Sequence, residues 1–176
     1  LATARGKDGR PLFTGTTQEF KKMLYEQWFN LYRRGTNNDS CGFEHVFVGE
    51  VDKGQVKGMH NWINIYLEEK AGKLDYKGYI KPRRRGRNPI QYPASEEQVQ
   101  TIQFEWEGDL KPVGTSMIGV SPEFEMALYT LLLFAGAEEN NVTVGPYKLL
   151  FKVFTMDRRN PKIGTAFPET VPLSPE

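Results

Sequence analysis

The chain has a single cysteine, Cys41, among its 176 residues. One cysteine excludes an intrachain disulfide and a thiolate metal cluster. It fits a reducing compartment without demanding one. Long apolar runs are also missing. The longest candidate, LLLFAG at 131–136, is far too short to span a membrane. Charge of one sign is not in excess: the formal net charge is +1. That does not mark a nucleic-acid binder by itself, although local patches stay open. Residue 1 is leucine, and no charged stretch followed by an apolar one stands behind it, so no signal peptide is read there. Leu1 is expected to be a cut within a longer parent chain, which leaves the compartment open, secreted or intracellular alike. No repeat of solenoid length is visible.

What is present describes a folded domain. Hydrophobic residues make up 39% and aromatics 12%, which is not a disordered composition. The length suits one domain, or two small lobes sharing a core. Residues 1–15 are Gly-rich and charged and read as a lead-in. A helix is expected over 16–34. Thr16 and Glu19 have capping-box spacing, Phe20, Met23, Leu24, Trp28, Leu31 and Tyr32 recur at helical intervals, and Gly35 is a stop. An alternating strand is expected over 43–51, a turn at 52–55 and a return strand over 56–59. A second helix starts near His60 or Asn61 and stops at Gly72. A short strand follows at 76–80, then a Pro- and Arg-rich loop at 81–95. Residues 99–107 alternate, with Ile102, Phe104 and Trp106 on one face. Residues 111–120 return as a strand, placed at a sheet edge by Pro112. Ser121-Pro122-Glu123 opens a helix that ends at Gly136. Strands are expected over 142–144, 148–155 and 163–167. Helices and hairpins are segregated without βαβ alternation. The fold class is therefore α+β, an N-terminal helix followed by mostly antiparallel sheets in two lobes.

Both histidines, His45 and His60, lie in one stretch, GFEHVFVGEVDKGQVKGMHNWI at 42–63. At strand period, Phe43, His45, Phe47 and Gly49 share a face, and Glu44, Val46, Val48 and Glu50 take the other. His60 falls at a helix start, where free N–H groups and burial both disfavour an added proton. A hairpin between them would fold one imidazole back onto the other. Two imidazoles can divide a displacement at phosphorus: one takes a proton from the attacking hydroxyl, the other protonates the leaving oxygen. A fixed cation is then needed for the charge on the non-bridging oxygens. Plainer readings compete. An isolated histidine pair is more often structural. A metal site using Glu44 or Glu50 would lack a tight spacing such as His-Glu-x-x-His. Cys41 sits in a loop with nothing to make it reactive.

Three stretches, GFEHVFVGEV at 42–51, KGMHNWINIYLEEKAGKLDYKGYI at 57–80 and IGVSPEFEMALYTL at 118–131, resemble the EndoU (XendoU-type) family of uridylate-specific endoribonucleases. The coronavirus NendoU enzymes are distant relatives of that family. The resemblance runs over residues 17–168. It implies an EndoU-like catalytic domain over 16–176, without the helical segment that precedes it in family chains. It implies cleavage of single-stranded RNA at uridines. The 2′-hydroxyl attacks the adjacent phosphorus and leaves a 2′,3′-cyclic phosphate, with stimulation by Mn²⁺.

The resemblance also places residues. His45 and His60 match the family's two histidines, the second written GMHNW where the family has GFHNW. They would be general acid and base in an order the sequence leaves open. Lys111, before IGVSPEFE, matches the lysine that stabilises the transition state. It shares a predicted strand face with Val113 and Thr115, although most lysines are solvated surface. Glu44 and Glu50 match acidic positions. Thr115 or Ser116 would supply one hydroxyl for the uridine, and Thr165 with Phe167 the rest of the pocket. The family aromatic is often tyrosine; Phe167 can stack on a pyrimidine but offers no hydroxyl. Arg83, Arg84, Arg85 and Arg87 could track an RNA backbone, and a solvated charged loop is the simpler reading. No dedicated Mn²⁺ cage is evident; Glu44 and Glu50 are the weak candidates. A monomer acting on uridine-containing RNA is expected. The alternatives are a non-catalytic RNA-binding module derived from such an enzyme, and a metal-dependent hydrolase that leaves a linear phosphate.

Overall fold

Helix α1 (Thr17–Trp28) begins where its capping box puts it: Thr16 accepts from the Glu19 backbone, and Glu19 reaches back to the Thr16 backbone N–H at 2.7 Å. It ends at Phe29, well short of Gly35. The carboxylate of Asp39 accepts from the backbone N–H groups of Arg34, Gly35 and Thr36, which gives that stretch a turn to form instead of a helix. Tyr32 then bridges to Ser40, and its hydroxyl donates to the Ile163 carbonyl at 3.1 Å. The computed structural model describes residue 5 and residues 8–80, 98–135, 137–156 and 161–170.

The expected strand over 43–51 is replaced by a π-helix, Glu44–Val48, and only β1 (Glu50–Asp52) is extended. Packing decides this. Phe43 stacks on both Phe29 and Phe47, at 5.0 and 4.9 Å between ring centroids, and Val46 and Phe47 are buried. A helical turn delivers these side chains to the core together; alternation would send Val46 away from Phe47. Gly49, at φ 96°, ends the turn.

The hairpin follows as expected, with β2 (Gln55–Lys57) antiparallel to β1. Asn61 caps α2 (Trp62–Lys70), and Gly72 closes it at φ 74°. Then come β3 (Leu74–Tyr79), β4 (Val99–Trp106), β5 (Asp109–Met117), α3 (Pro122–Ala135), β6 (Glu139–Val144), β7 (Tyr147–Thr155) and β8 (Ile163–Thr170). One sheet runs β1-β2-β5-β4-β3, the other β6-β7-β8. Among the described residues the pairings between named strands are antiparallel except β2 with β5. The class is α+β.

β5 is not an edge strand. It lies between β2 and β4, and Pro112 is tolerated because β2 touches it only at Leu110 and because Pro112 sits in a bulge. Ile102 pairs with Gly114 and Phe104 with Lys111, so two residues of β5 face the single Gln103. The extra residue turns Val113 outward, away from the face it was expected to share with Lys111 and Thr115, which are buried.

One core cluster joins Trp28, Phe47, Tyr129, Phe151 and Ile163 across α1, the π-helix, α3 and the second sheet. Each large apolar side chain there is worth about 1.5–3 kcal/mol of burial. A smaller cluster, Val56, Met59, Leu74 and Phe104, lies under the first sheet. Among the described residues no helix is long and apolar enough to cross a membrane.

Candidate active site

The two histidine segments are tied together through their backbones. The N–H of Met59 donates to the His45 carbonyl at 2.9 Å, and the N–H of His60 donates to the Val46 carbonyl at 2.7 Å. Gly58 makes the approach possible, as a Cβ there would collide with the His45 carbonyl. The hairpin therefore does bring the imidazoles into one place, although His45 arrives on a helical turn rather than a strand.

Each ring is held by its Nδ1. His45 Nδ1 lies 3.1 Å from Glu50 Oε2. The acceptor is a carboxylate, so Nδ1 carries the proton and Nε2 is left for chemistry. Glu50 is itself held by Arg34 Nε at 3.2 Å and by the Ser40 hydroxyl. Arg34 also donates to the Tyr32 hydroxyl at 2.8 Å and to the Gly164 carbonyl, which ties this network to β8. His60 Nδ1 donates to the Thr115 carbonyl at 3.0 Å, again leaving Nε2. Both imidazoles are buried.

The electrostatics favour neutral rings. Burial pushes His45 below the ordinary imidazole value, and the charges of Arg34 and Lys111 add to this; the Glu50 hydrogen bond opposes it. His60 is driven further, to about 3, by burial and then by Lys111. Lys111 is only 6% exposed, and burial followed by the nearby Lys57 charge lowers it to about 8. A buried ammonium thus acts on both imidazoles at once. Its stem lies against Gly114, where a Cβ would meet Lys111 Cε at 3.3 Å.

Thr115 is buried and supports His60 through its carbonyl; its hydroxyl is 3.4 Å from that of Thr101. The Ser116 hydroxyl is buried with no partner. Thr165 and Phe167 lie two apart on β8 and share a face. The Phe167 ring stacks on His60, with centroids 4.9 Å apart and planes 17° off parallel. Glu44 is half-buried on the π-helix. Arg83, Arg84, Arg85 and Arg87 lie outside the described residues. Among the described residues no group of three His, Cys, Asp or Glu side chains could hold a metal ion. The carboxylate of Glu50 is already engaged by a guanidinium, a hydroxyl and an imidazole.

Sequence reasoning missed Arg34 and Ser40. Arg34 falls inside the helix expected over 16–34, and no periodicity marks a cation that folds back onto a carboxylate sixteen residues later in the chain. The available signal was Glu50 itself, because a half-buried carboxylate needs donors.

A family model described as Endoribonuclease XendoU matches residues 8–168. This chain belongs to the XendoU endoribonuclease family. Poly(U)-specific endoribonuclease-A of Xenopus laevis is 46% identical over 159 residues, which cover 87% of this chain and 52% of the relative. The Homo sapiens uridylate-specific endoribonuclease is 46% identical over 147 residues, 82% of this chain and 34% of the relative. The solved structure of XendoU, described as a splicing independent snoRNA processing endoribonuclease, superposes with a TM-score of 0.72 at 45% identity. It covers 91% of this chain and 57% of the XendoU chain. The chain spans about half the length of the Xenopus relative.

Proposed function

We propose that this chain is an endoribonuclease that cuts single-stranded RNA after uridine and leaves a 2′,3′-cyclic phosphate. The observation that carries the reading is the pair of buried imidazoles, each with Nδ1 anchored, under the charge of a buried lysine. His60, the more strongly depressed of the two, is neutral at physiological pH and takes the proton of the 2′-hydroxyl. The 2′-oxygen bonds to phosphorus and the bond from phosphorus to the 5′-oxygen breaks. His45 has to enter the step as the imidazolium, protonated on Nε2 as well as on Nδ1, a form that the Glu50 hydrogen bond and charge favour against burial, and its Nε2 proton passes to that leaving oxygen. Lys111 offsets charge on the non-bridging oxygens while it stays protonated. Glu50 keeps His45 in one tautomer. Thr165, Phe167 and the Thr115–Ser116 segment are the uridine subsite of this reading; one face of Phe167 is covered by His60, which leaves the other for the base. Manganese belongs to the proposal through the RNA phosphates, with Glu44 the candidate carboxylate to assist, because Glu50 is already engaged.

The test is a short RNA with one uridine, incubated with Mn²⁺ or with EDTA, and its product ends read by mass. The expected product is a 2′,3′-cyclic phosphate after uridine, slowed roughly 10²–10⁴-fold in His60→Ala. A 2′-deoxyuridine at the scissile position should not be cut, because the nucleophile is gone. Efficient cutting there, or a linear phosphate product, overturns the mechanism. RNA binding without any product, unchanged in His60→Ala, would make this a binding module.

A further inference from the structure

The S-P-E-F-E stretch opens α3 with its first three residues, and its last, Glu125, points inward with 1% of its surface exposed. Asn61 Nδ2 donates to Glu125 Oε2 at 2.6 Å. Asn61 follows His60 directly and is itself 3% exposed. Its other amide atom, Oδ1, accepts from the Asn64 backbone at 3.1 Å and caps α2. Its backbone bridges to Met117 on β5. The amide is thus held from both ends, nitrogen on α3 and oxygen on α2, which allows only one orientation.

On the other side of Asn61 the chain is under strain. Met59 has φ 57° and Gly58 φ 62°. A β-carbon residue in that region persists only where its surroundings over-determine it. The Glu125 carboxyl is also expensive. Oε1 is buried without a protein partner, as is the Tyr129 hydroxyl one turn further along α3, and such groups cost stability. A fold that needed only apolar filling at this place would be better served by leucine.

We propose that Glu125 is a positioning residue for His60, acting through Asn61. The carboxyl fixes the Asn61 amide, the amide fixes the start of α2, and the preceding residue is thereby held with Nδ1 on the Thr115 carbonyl. This rests on the reading of His60 as a proton-transfer group.

Asn61→Ser tests it. Serine still caps a helix but has no amide to donate to Glu125. Glu125→Gln keeps an acceptor for Asn61. With both variants folded by circular dichroism, Asn61→Ser should lower kcat roughly 10- to 100-fold with KM nearly unchanged, and Glu125→Gln should retain kcat. Side-chain ¹⁵N–¹H spectra should show the His60 Nδ1 proton protected in the parent and in Glu125→Gln, and exchanging freely in Asn61→Ser. A folded Asn61→Ser with parental kcat overturns the inference. If the parent does not cut RNA, the functional reading falls and the His60 Nδ1 proton alone decides: loss of its protection in Asn61→Ser upholds the positioning role, and unchanged protection ends it. Should Asn61→Ser not fold, Glu125→Leu, which fills the site without an acceptor, carries the same expectations.

Discussion

A Cβ added to Gly58 would stand 1.8 Å from the carbonyl oxygen of His45 and 3.0 Å from its ring. The two histidine segments are in register only because this residue has no side chain. Its φ of 62° adds a second reason for glycine. Gly58→Ala should cost about 3 kcal/mol or more and abolish cleavage. Gly72→Ala, at a similar φ but in open space, should cost only about 1 kcal/mol. Urea denaturation of the two variants checks the difference.

Glu50 holds His45, Arg34 and Ser40 at once. Burial acts to raise its pKa, but the His45 and Ser40 hydrogen bonds and the His45 and Arg34 charges outweigh it, and the carboxyl is held below its ordinary value. A depressed carboxylate contributes stability that is present above the unfolded pKa and lost as pH falls through the folded one. Glu50→Gln should therefore flatten the acid limb of a stability–pH curve. It should also lower kcat roughly 10- to 100-fold, because Nδ1 loses its charged acceptor. An unchanged kcat would rule out Glu50 as the anchor of His45.

In the proposed mechanism Lys111 acts while protonated, and burial and then Lys57 bring its pKa to about 8. The rate should fall as pH rises through that value. Lys57→Met removes one of the two causes, so this limb should move upward in pH. A pH–rate profile of both proteins decides it, and a limb that stays in place would exclude the charge coupling.

Glu125 is the opposite case to Glu50. Burial raises it from 4.5 to about 7, against the Asn61 hydrogen bond. The folded state binds the extra proton, so the contribution is full below pH 4.5 and is lost as pH rises through about 7. Melting temperatures at pH 5 and pH 8 should differ less in Glu125→Gln than in the parent. Equal differences would mean that Glu125 titrates normally.

Phe167 lies flat on His60. Phe167→Ala should raise KM for uridine-containing RNA and cost about 1–3 kcal/mol of binding from lost stacking. Phe167→Tyr adds a hydroxyl worth about 1 kcal/mol, so kcat/KM should rise by roughly fivefold. Steady-state kinetics on one RNA read both.

Much of the layout is written locally. Thr16 with Glu19, Ser121 before Pro122, and the alternation over Val99–Trp106 each state an element through its own hydrogen bonds or its own period. The clearest failure, the strand expected over 43–51, has a simple cause. Phe43 and Phe47 are four apart, and four is both two strand periods and about one helical turn. The same side chains fit either geometry, and only the partners Phe29 and Trp28 choose between them. The edge position expected from Pro112 failed for a related reason: a bulge is a property of two strands, and one strand's sequence does not contain it.

The site divides the same way. The sequence by itself determined that two imidazoles flank a hairpin turn, that a glycine lies two residues before the second, and that a lysine lies near the start of a later strand. Those are chemical identities and short-range spacings, and the chain carries them without folding. The tertiary structure alone decided that Glu50 and the Thr115 carbonyl fix the two rings, that Arg34 closes over Glu50, and that Lys111 and Glu125 are buried where their protons are displaced from ordinary values. Proton affinity and tautomer depend on desolvation and on partners distant in sequence, and these exist only once the sheets and helices have packed.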